Sequence, residues 1–159
     1  MLHLLAGCAR GLEDLDCGGC THLTPDSIAR LPAEGLRELR VSRGGWARTA
    51  ALEAAARRWG HALEAVWAEG GEVEDEGAAA LAHGSRLRYL SLEQSRVTAV
   101  ALQPLLLGRG GAAPPPLETV NLAGCRGLSR PLRQAAAAGD VCALRKAVAA
   151  QLHIDLSES

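Results

Sequence analysis

The sequence has no phenylalanine, one tyrosine (Tyr89), three tryptophans (Trp46, Trp59 and Trp67) and one methionine. With aromatics at 3% and hydrophobic residues at 48%, the core has to be built from Leu, Val and Ala, which pack in thin regular layers more readily than around large rings. Long apolar runs are missing too. Nothing approaches the roughly 18 residues a membrane span needs. The stretch over residues 2–6 is too short for a signal-sequence core and has no basic flank before it. These absences predict a soluble, unexported chain, intracellular and cytoplasmic in the first instance with an organelle as the alternative, and no membrane insertion. An excess of one charge is also lacking: 17 Lys+Arg against 18 Asp+Glu leave a formal charge of -1. No phosphate-tracking surface, and hence no nucleic-acid partner, is expected.

What is present is enough for a folded domain. A length of 159 residues is about one domain, and charged residues at 22% are too few for a disordered tail. Five cysteines (Cys8, Cys17, Cys20, Cys125 and Cys142) are an odd number. Without an export signal they predict free thiols in a reducing compartment.

One unit recurs five times: apolar, two others, apolar, one other, apolar, two others, then a small residue. Quoted as positions one, four, six and nine, the copies are Leu12-Leu15-Cys17-Cys20, Leu36-Leu39-Val41-Gly44, Leu63-Val66-Ala68-Gly71, Leu87-Leu90-Leu92-Ser95 and Leu117-Val120-Leu122-Cys125. Their starts are 24, 27, 24 and 30 residues apart. Positions four and six alternate with positions three, five and seven, the period of a short strand with one buried face. Behind each strand a short helix is expected, over residues 23–31, 48–59, 74–83, 98–107 and 131–138. The first has a capping Thr24 and a Pro25 at its first helical position. One such unit exposes its apolar side, so only an array of them is stable.

With Cys at position nine in the first and fifth units, followed by Leu23-Thr24 and Leu128-Ser129, the chain resembles the cysteine-containing leucine-rich repeats of F-box substrate receptors over about residues 12–133. The resemblance implies an α/β leucine-rich repeat right-handed solenoid, with short parallel strands on the concave face and helices on the convex face. Nothing before Leu12 is long enough to hold an F-box, so the resemblance carries over a binding scaffold and no docking onto a ligase adaptor. The expected organisation is a single domain over residues 1–159. Residues 1–11 form an N-terminal cap or a partial repeat of a longer array, 12–139 five repeats, and 140–159 a C-terminal capping helix and a sixth strand over 152–156. Residues 108–116, rich in Gly and ending in three prolines, form an exposed loop.

Catalytic or metal chemistry has weak support. Cys17 and Cys20 with His22 could form a metal or redox pair, but the repeat register explains both thiols, Cys17 as a core residue and Cys20 in the small-residue column. The acidic residues Glu69, Glu72, Glu74, Asp75 and Glu76 lack the pattern of a calcium loop and are expected to be solvated near a helix N-terminus. His3, His22, His61, His83 and His153 are scattered and read as surface or helix-end residues. No catalytic residue, metal or cofactor is expected, and the chain is read as a non-enzyme.

The sharper expectation concerns the other strand face. Positions three, five and seven turn away from the core, and Asp16, Arg40, Trp67, Tyr89, Ser91, Glu93 and Asn121 are the expected partner-binding residues there. Alternatively, Trp67 fills space beside Ala65 and Ala68 or is covered by a further subunit. The function expected is a protein-binding adaptor or substrate-recognition module. The alternatives are a structural subunit embedded in a mitochondrial, ribosomal or axonemal assembly, and a thiol or metal protein using Cys17 and Cys20.

Overall fold

A computed structural model of the chain describes residues 11–20, 24–42, 48–70 and 72–154, and, for Arg48, the backbone alone. Five three-residue strands, β1 (Asp14–Asp16), β2 (Glu38–Arg40), β3 (Ala65–Trp67), β4 (Tyr89–Ser91) and β5 (Thr119–Asn121), form one parallel sheet in the order β1-β2-β3-β4-β5. Every crossover passes through a helix: α1 (Pro25–Ala29), α2 (Arg48–Trp59), α3 (Asp75–Ala80) and α4 (Ala99–Leu107). After β5 come α5 (Arg130–Ala137) and α6 (Val141–Leu152). The result is a mixed α/β chain whose sheet neighbours are also sequence neighbours.

The register is the one the repeat predicts. Leu15, Leu39, Val66, Leu90 and Val120 are consecutive partners across all four strand pairs. Hydrogen bonding repeats with it beyond the three-residue strands. The position-six N–H donates to the position-five carbonyl of the next unit in Cys17 to Arg40, Val41 to Trp67, Ala68 to Ser91 and Leu92 to Asn121, at 2.8 to 2.9 Å. A shared carbonyl accepts two N–H groups at each strand start, as Glu13 does from Arg37 and Glu38. Such uniform pairing satisfies the buried backbone, which a Leu/Val/Ala core could not do with side chains.

The core lies between the sheet and the helices. Leu39, Val66 and Leu90 are fully buried, as are Leu36, Leu63, Leu87 and Leu92. Each such side chain contributes roughly 1.5–3 kcal/mol on burial. The helices use small residues to reach the same layer. Ala51, Leu52, Ala55 and Trp59 of α2 are buried, and a Cβ on Gly77 of α3 would sit 2.7 Å from the Thr49 Cα, so α2 and α3 meet backbone to backbone. Among the described residues the one aromatic ring in this layer is Trp59, whose Nε1 donates to the Ala33 carbonyl at 2.8 Å.

Helix starts are latched to neighbouring units. Thr24 caps α1 by accepting from the Ser27 N–H, Thr98 caps α4 by accepting from Val100, and Asp140 caps α6 by accepting from Cys142 and Ala143. Thr49 accepts from the Glu74 N–H and donates to the Glu72 carbonyl, both at 3.0 Å. The Asp75 carboxylate accepts from both the N–H and the hydroxyl of Thr98, at 2.6 Å each. That corrects the sequence expectation for Asp75: it is partly buried and ties α3 to α4, and is not a freely solvated charge.

One further expectation is revised. The alternation over residues 152–156 suggested a sixth strand, but α6 runs through Leu152 and ends at His153 in the left-handed region (φ 54), with the Ile154 N–H donating to Ala149. Helical backbone bonds win over a short alternating pattern there. Residues from 155 on, like residues 1–10 of the N-terminal cap or partial repeat expected over 1–11, lie outside the described residues. The 108–116 segment is a loop as expected, closed by a bridge between Arg109 and Ala112. Gly108 is required there, because a Cβ would lie 2.2 Å from the Ala112 carbonyl oxygen.

Candidate interaction face

Because positions four and six turn toward the helices, positions three, five and seven line the open face of the sheet. Arg40 and Trp67 are direct register partners. The Arg40 guanidinium lies 4.0 Å from the Trp67 ring centroid. Tyr89 faces Ala65 in the register and so stands diagonal to Trp67; the two ring centroids are 4.8 Å apart and tilted by 36°. Arg40 also donates to Glu38 at 2.8 Å. Both members of that ion pair are more than one third exposed, so its net stabilisation is small. The three side chains form a half-buried stack, Arg40 on Trp67 on Tyr89, across three strands.

Next to the stack is a polar network. The Ser91 hydroxyl donates to Glu69 at 3.2 Å and accepts from the Asn121 amide at 3.4 Å, and the same amide lies 3.4 Å from Glu93. Ser91 is fully buried, which corrects its assignment as a partner-binding residue: Glu69 and Asn121 close over it. Its contribution is to hold those two groups in place. Asp16 is exposed at the first strand and accepts from the Gly18 N–H at 2.7 Å, a local turn contact apart from the stack. The structure therefore brings Arg40, Trp67 and Tyr89 together, and joins Glu93 to Asn121, while Asp16 stands at the edge.

Two participants, Glu38 and Glu69, were not among the expected site residues. Glu38 could have been found from its position two residues before Arg40 on the same face, and Glu69 from its place at position seven beside Glu93. A further pattern was readable at position two, where Glu13, Arg37, Glu64, Arg88 and Glu118 alternate in sign. Arg37 lies 3.7 Å from Glu13 and 4.0 Å from Glu64, and Arg88 lies 2.9 Å from Glu118. These exposed pairs suppress mispairing of units more than they stabilise the correct one.

The thiols divide by position. Cys17 is buried at position six, and burial, with smaller contributions from the nearby Cys20 and Asp16, pushes its thiol from the ordinary 9.0 up to about 11. A thiol held neutral in this way is a poor nucleophile and a poor metal ligand. Cys125 is buried at position nine, donating to the Leu92 carbonyl at 3.0 Å and lying 3.3 Å from the Ser95 hydroxyl. Cys20, expected in the same column, is exposed. The covering groups of Cys125 come from the preceding unit, and among the described residues no strand precedes β1. His61, His83 and His153 are exposed; His3, His22 and Cys8 lie outside the described residues. Among the described residues, no group of three or more His, Cys, Asp or Glu is placed to hold a metal ion, and no helix is long and apolar enough to cross a membrane.

No protein-family model matches the sequence, and no curated protein matches it.

Proposed function

We propose that the chain is a non-catalytic interaction scaffold of the leucine-rich repeat type, a small curved solenoid that binds another protein inside the cell through the open face of its sheet. The observation that carries this reading is the Arg40–Trp67–Tyr89 stack. A chain with 3% aromatics keeps two of its few rings half-buried on the sheet face that none of the described helices covers. Tyr, Trp and Arg are the side chains that most often anchor protein interfaces, because each offers a large rigid contact and a polar end. The aligned strands hold these anchors on a sheet that does not have to reorganise on binding, which lowers the cost of association.

Affinity purification with mass spectrometry, run in parallel on the native chain and on Trp67→Ala, tests the reading. A partner retained by the native chain and lost from the variant is the expected outcome. Identical recovery by both proteins overturns it.

A second reading, a structural subunit embedded in a larger assembly, is favoured by the β1 edge. Leu12 and Leu15 are only partly buried there, whereas their counterparts Leu36 and Leu39 are fully buried. An embedded subunit copurifies in fixed stoichiometry with its complex and aggregates when expressed alone; an adaptor is monodisperse alone.

A further inference from the structure

The turn from position six to position nine is built the same way in the first, fourth and fifth units. The position-nine N–H donates to the position-six carbonyl, Cys20 to Cys17 at 3.1 Å, Ser95 to Leu92 at 3.2 Å and Cys125 to Leu122 at 3.2 Å. At position eight the backbone has a positive φ, 73° at Gly19, 58° at Gln94 and 73° at Gly124. Of the five units, only the first carries sulfur at both ends of this turn. A turn closed by such a bond holds its end Cα atoms within about 7 Å, and a disulfide spans Cα separations of roughly 4.4–6.8 Å. Both residues between the thiols are glycine, Gly18 and Gly19, so the backbone is free to adjust to a bridge.

The turn is also held in place. The Cys17 N–H donates to the Arg40 carbonyl at 2.8 Å, the Gly19 N–H to the Ser42 carbonyl at 3.0 Å, and the Gly18 N–H to the Asp16 carboxylate at 2.7 Å. The two thiols it carries differ in access, since Cys20 is exposed and Cys17 is buried at 3% exposure. Cys20 is also close enough to be one of the causes that push the Cys17 thiol up.

From this geometry we infer that Cys17 and Cys20 form a dithiol that a low-molecular-weight disulfide of the glutathione class oxidises to a bridge across the turn, with Cys20 meeting the oxidant and Cys17 resolving it. In the first step the Cys20 thiolate attacks one sulfur of oxidised glutathione. A Cys20–glutathione bond forms, the S–S bond of the oxidant breaks, and one glutathione leaves as thiolate. In the second step the Cys17 sulfur, releasing its proton to water, attacks the Cys20 sulfur. The Cys17–Cys20 bond forms, the Cys20–glutathione bond breaks, and the second glutathione leaves. The protein pair gives up two electrons and two protons, and one oxidised glutathione becomes two reduced ones. Buried and held neutral, Cys17 is a poor partner for a reagent arriving from solvent, but across one turn a fixed neighbour replaces the encounter. The bridge ties the end of β1 to the chain that follows it, in the unit whose Leu12 and Leu15 are only partly buried. The dithiol is independent of the aromatic stack, whose Trp67 and Tyr89 belong to the third and fourth units.

The full-length native chain is reduced and then equilibrated, folded, in glutathione buffers running from fully reduced to fully oxidised. After acid quenching the free thiols are alkylated in denaturant and the peptides are assigned by mass spectrometry. A Cys17–Cys20 bridge that accumulates with oxidised glutathione is the expected result. In Cys20→Ser, a change at an exposed position whose fold is checked by circular dichroism, Cys17 is expected to be oxidised roughly tenfold more slowly or less. Glutathione retained on Cys20 with Cys17 still free, a bridge from Cys20 to Cys8, or both thiols still reduced in the fully oxidised buffer overturns the inference. Oxidation of Cys17 at an equal rate in Cys20→Ser overturns the role given to Cys20.

Discussion

Trp59 and Trp67 close consecutive elements, α2 and β3, and are used in opposite ways. Trp59 is fully buried, and its ring nitrogen donates to the Ala33 carbonyl, so every part of the side chain is satisfied inside the protein. Trp67 is half-buried on the open face, with a guanidinium on one side and a tyrosine on the other. The first ring gains its full transfer free energy on folding, whereas the second keeps part of that gain unrealised until something covers it. The comparison separates the residues that hold the units together from those left for a partner, and it is made by one register, since a side chain one position away along the strand changes face.

The largest effect expected is on the covered side. Leu90→Asp places a carboxylate with no cation beside it in the middle strands of the sheet, where Leu90 is fully buried. The expected cost is above about 4 kcal/mol, enough to abolish the cooperative transition in urea followed by circular dichroism. Trp59→Ala comes next, at about 3–5 kcal/mol, because it opens a cavity and also leaves the Ala33 carbonyl without its donor. A lowered urea midpoint at unchanged slope is the check.

A smaller effect comes from Cys17. Its folded-state thiol loses its proton near pH 11 and the unfolded one near 9.0, so between those values the folded chain holds more protons than the unfolded chain. Stability therefore declines as pH rises from about 9 to about 11 and is insensitive to this group below that window. Cys17→Ala is expected to flatten the decline, measured as melting temperature against pH; Cys20→Ala, which removes only a smaller contribution than burial, is expected to change it less. The smallest effect is Trp67→Ala, which removes a ring contact and a cation–π contact on a half-exposed face and is expected to cost about 1 kcal/mol. A cost for Trp67→Ala equal to that of Trp59→Ala erases the distinction between the two rings.

The strands, their register and the helix spans were legible in the sequence because each rests on a local signal. The period-two columns fix which side chains pair, and Thr24, Thr98 and Asp140 mark helix starts that the structure uses. What could not be read depended on neighbours distant in sequence. Position five told correctly that Ser91 belongs to the open face, but its burial depends on Glu69 and Asn121 in flanking units. Position nine placed Cys20 and Cys125 in one column, but among the described residues only Cys125 has a preceding unit to donate to. The strand expected over residues 152–156 does not begin at Leu152 for a different reason: α6, already nucleated by its Asp140 cap, continues through that residue.

The most direct measurement is hydroxyl-radical footprinting of the native chain alone and in complex with its captured partner, read by mass spectrometry. The account predicts protection of Trp67 and Tyr89 in the complex, with Val100, exposed on the helix side at 63%, modified equally in both samples. Protection of Val100 with unchanged modification of Trp67 and Tyr89 contradicts it and moves recognition to the helices.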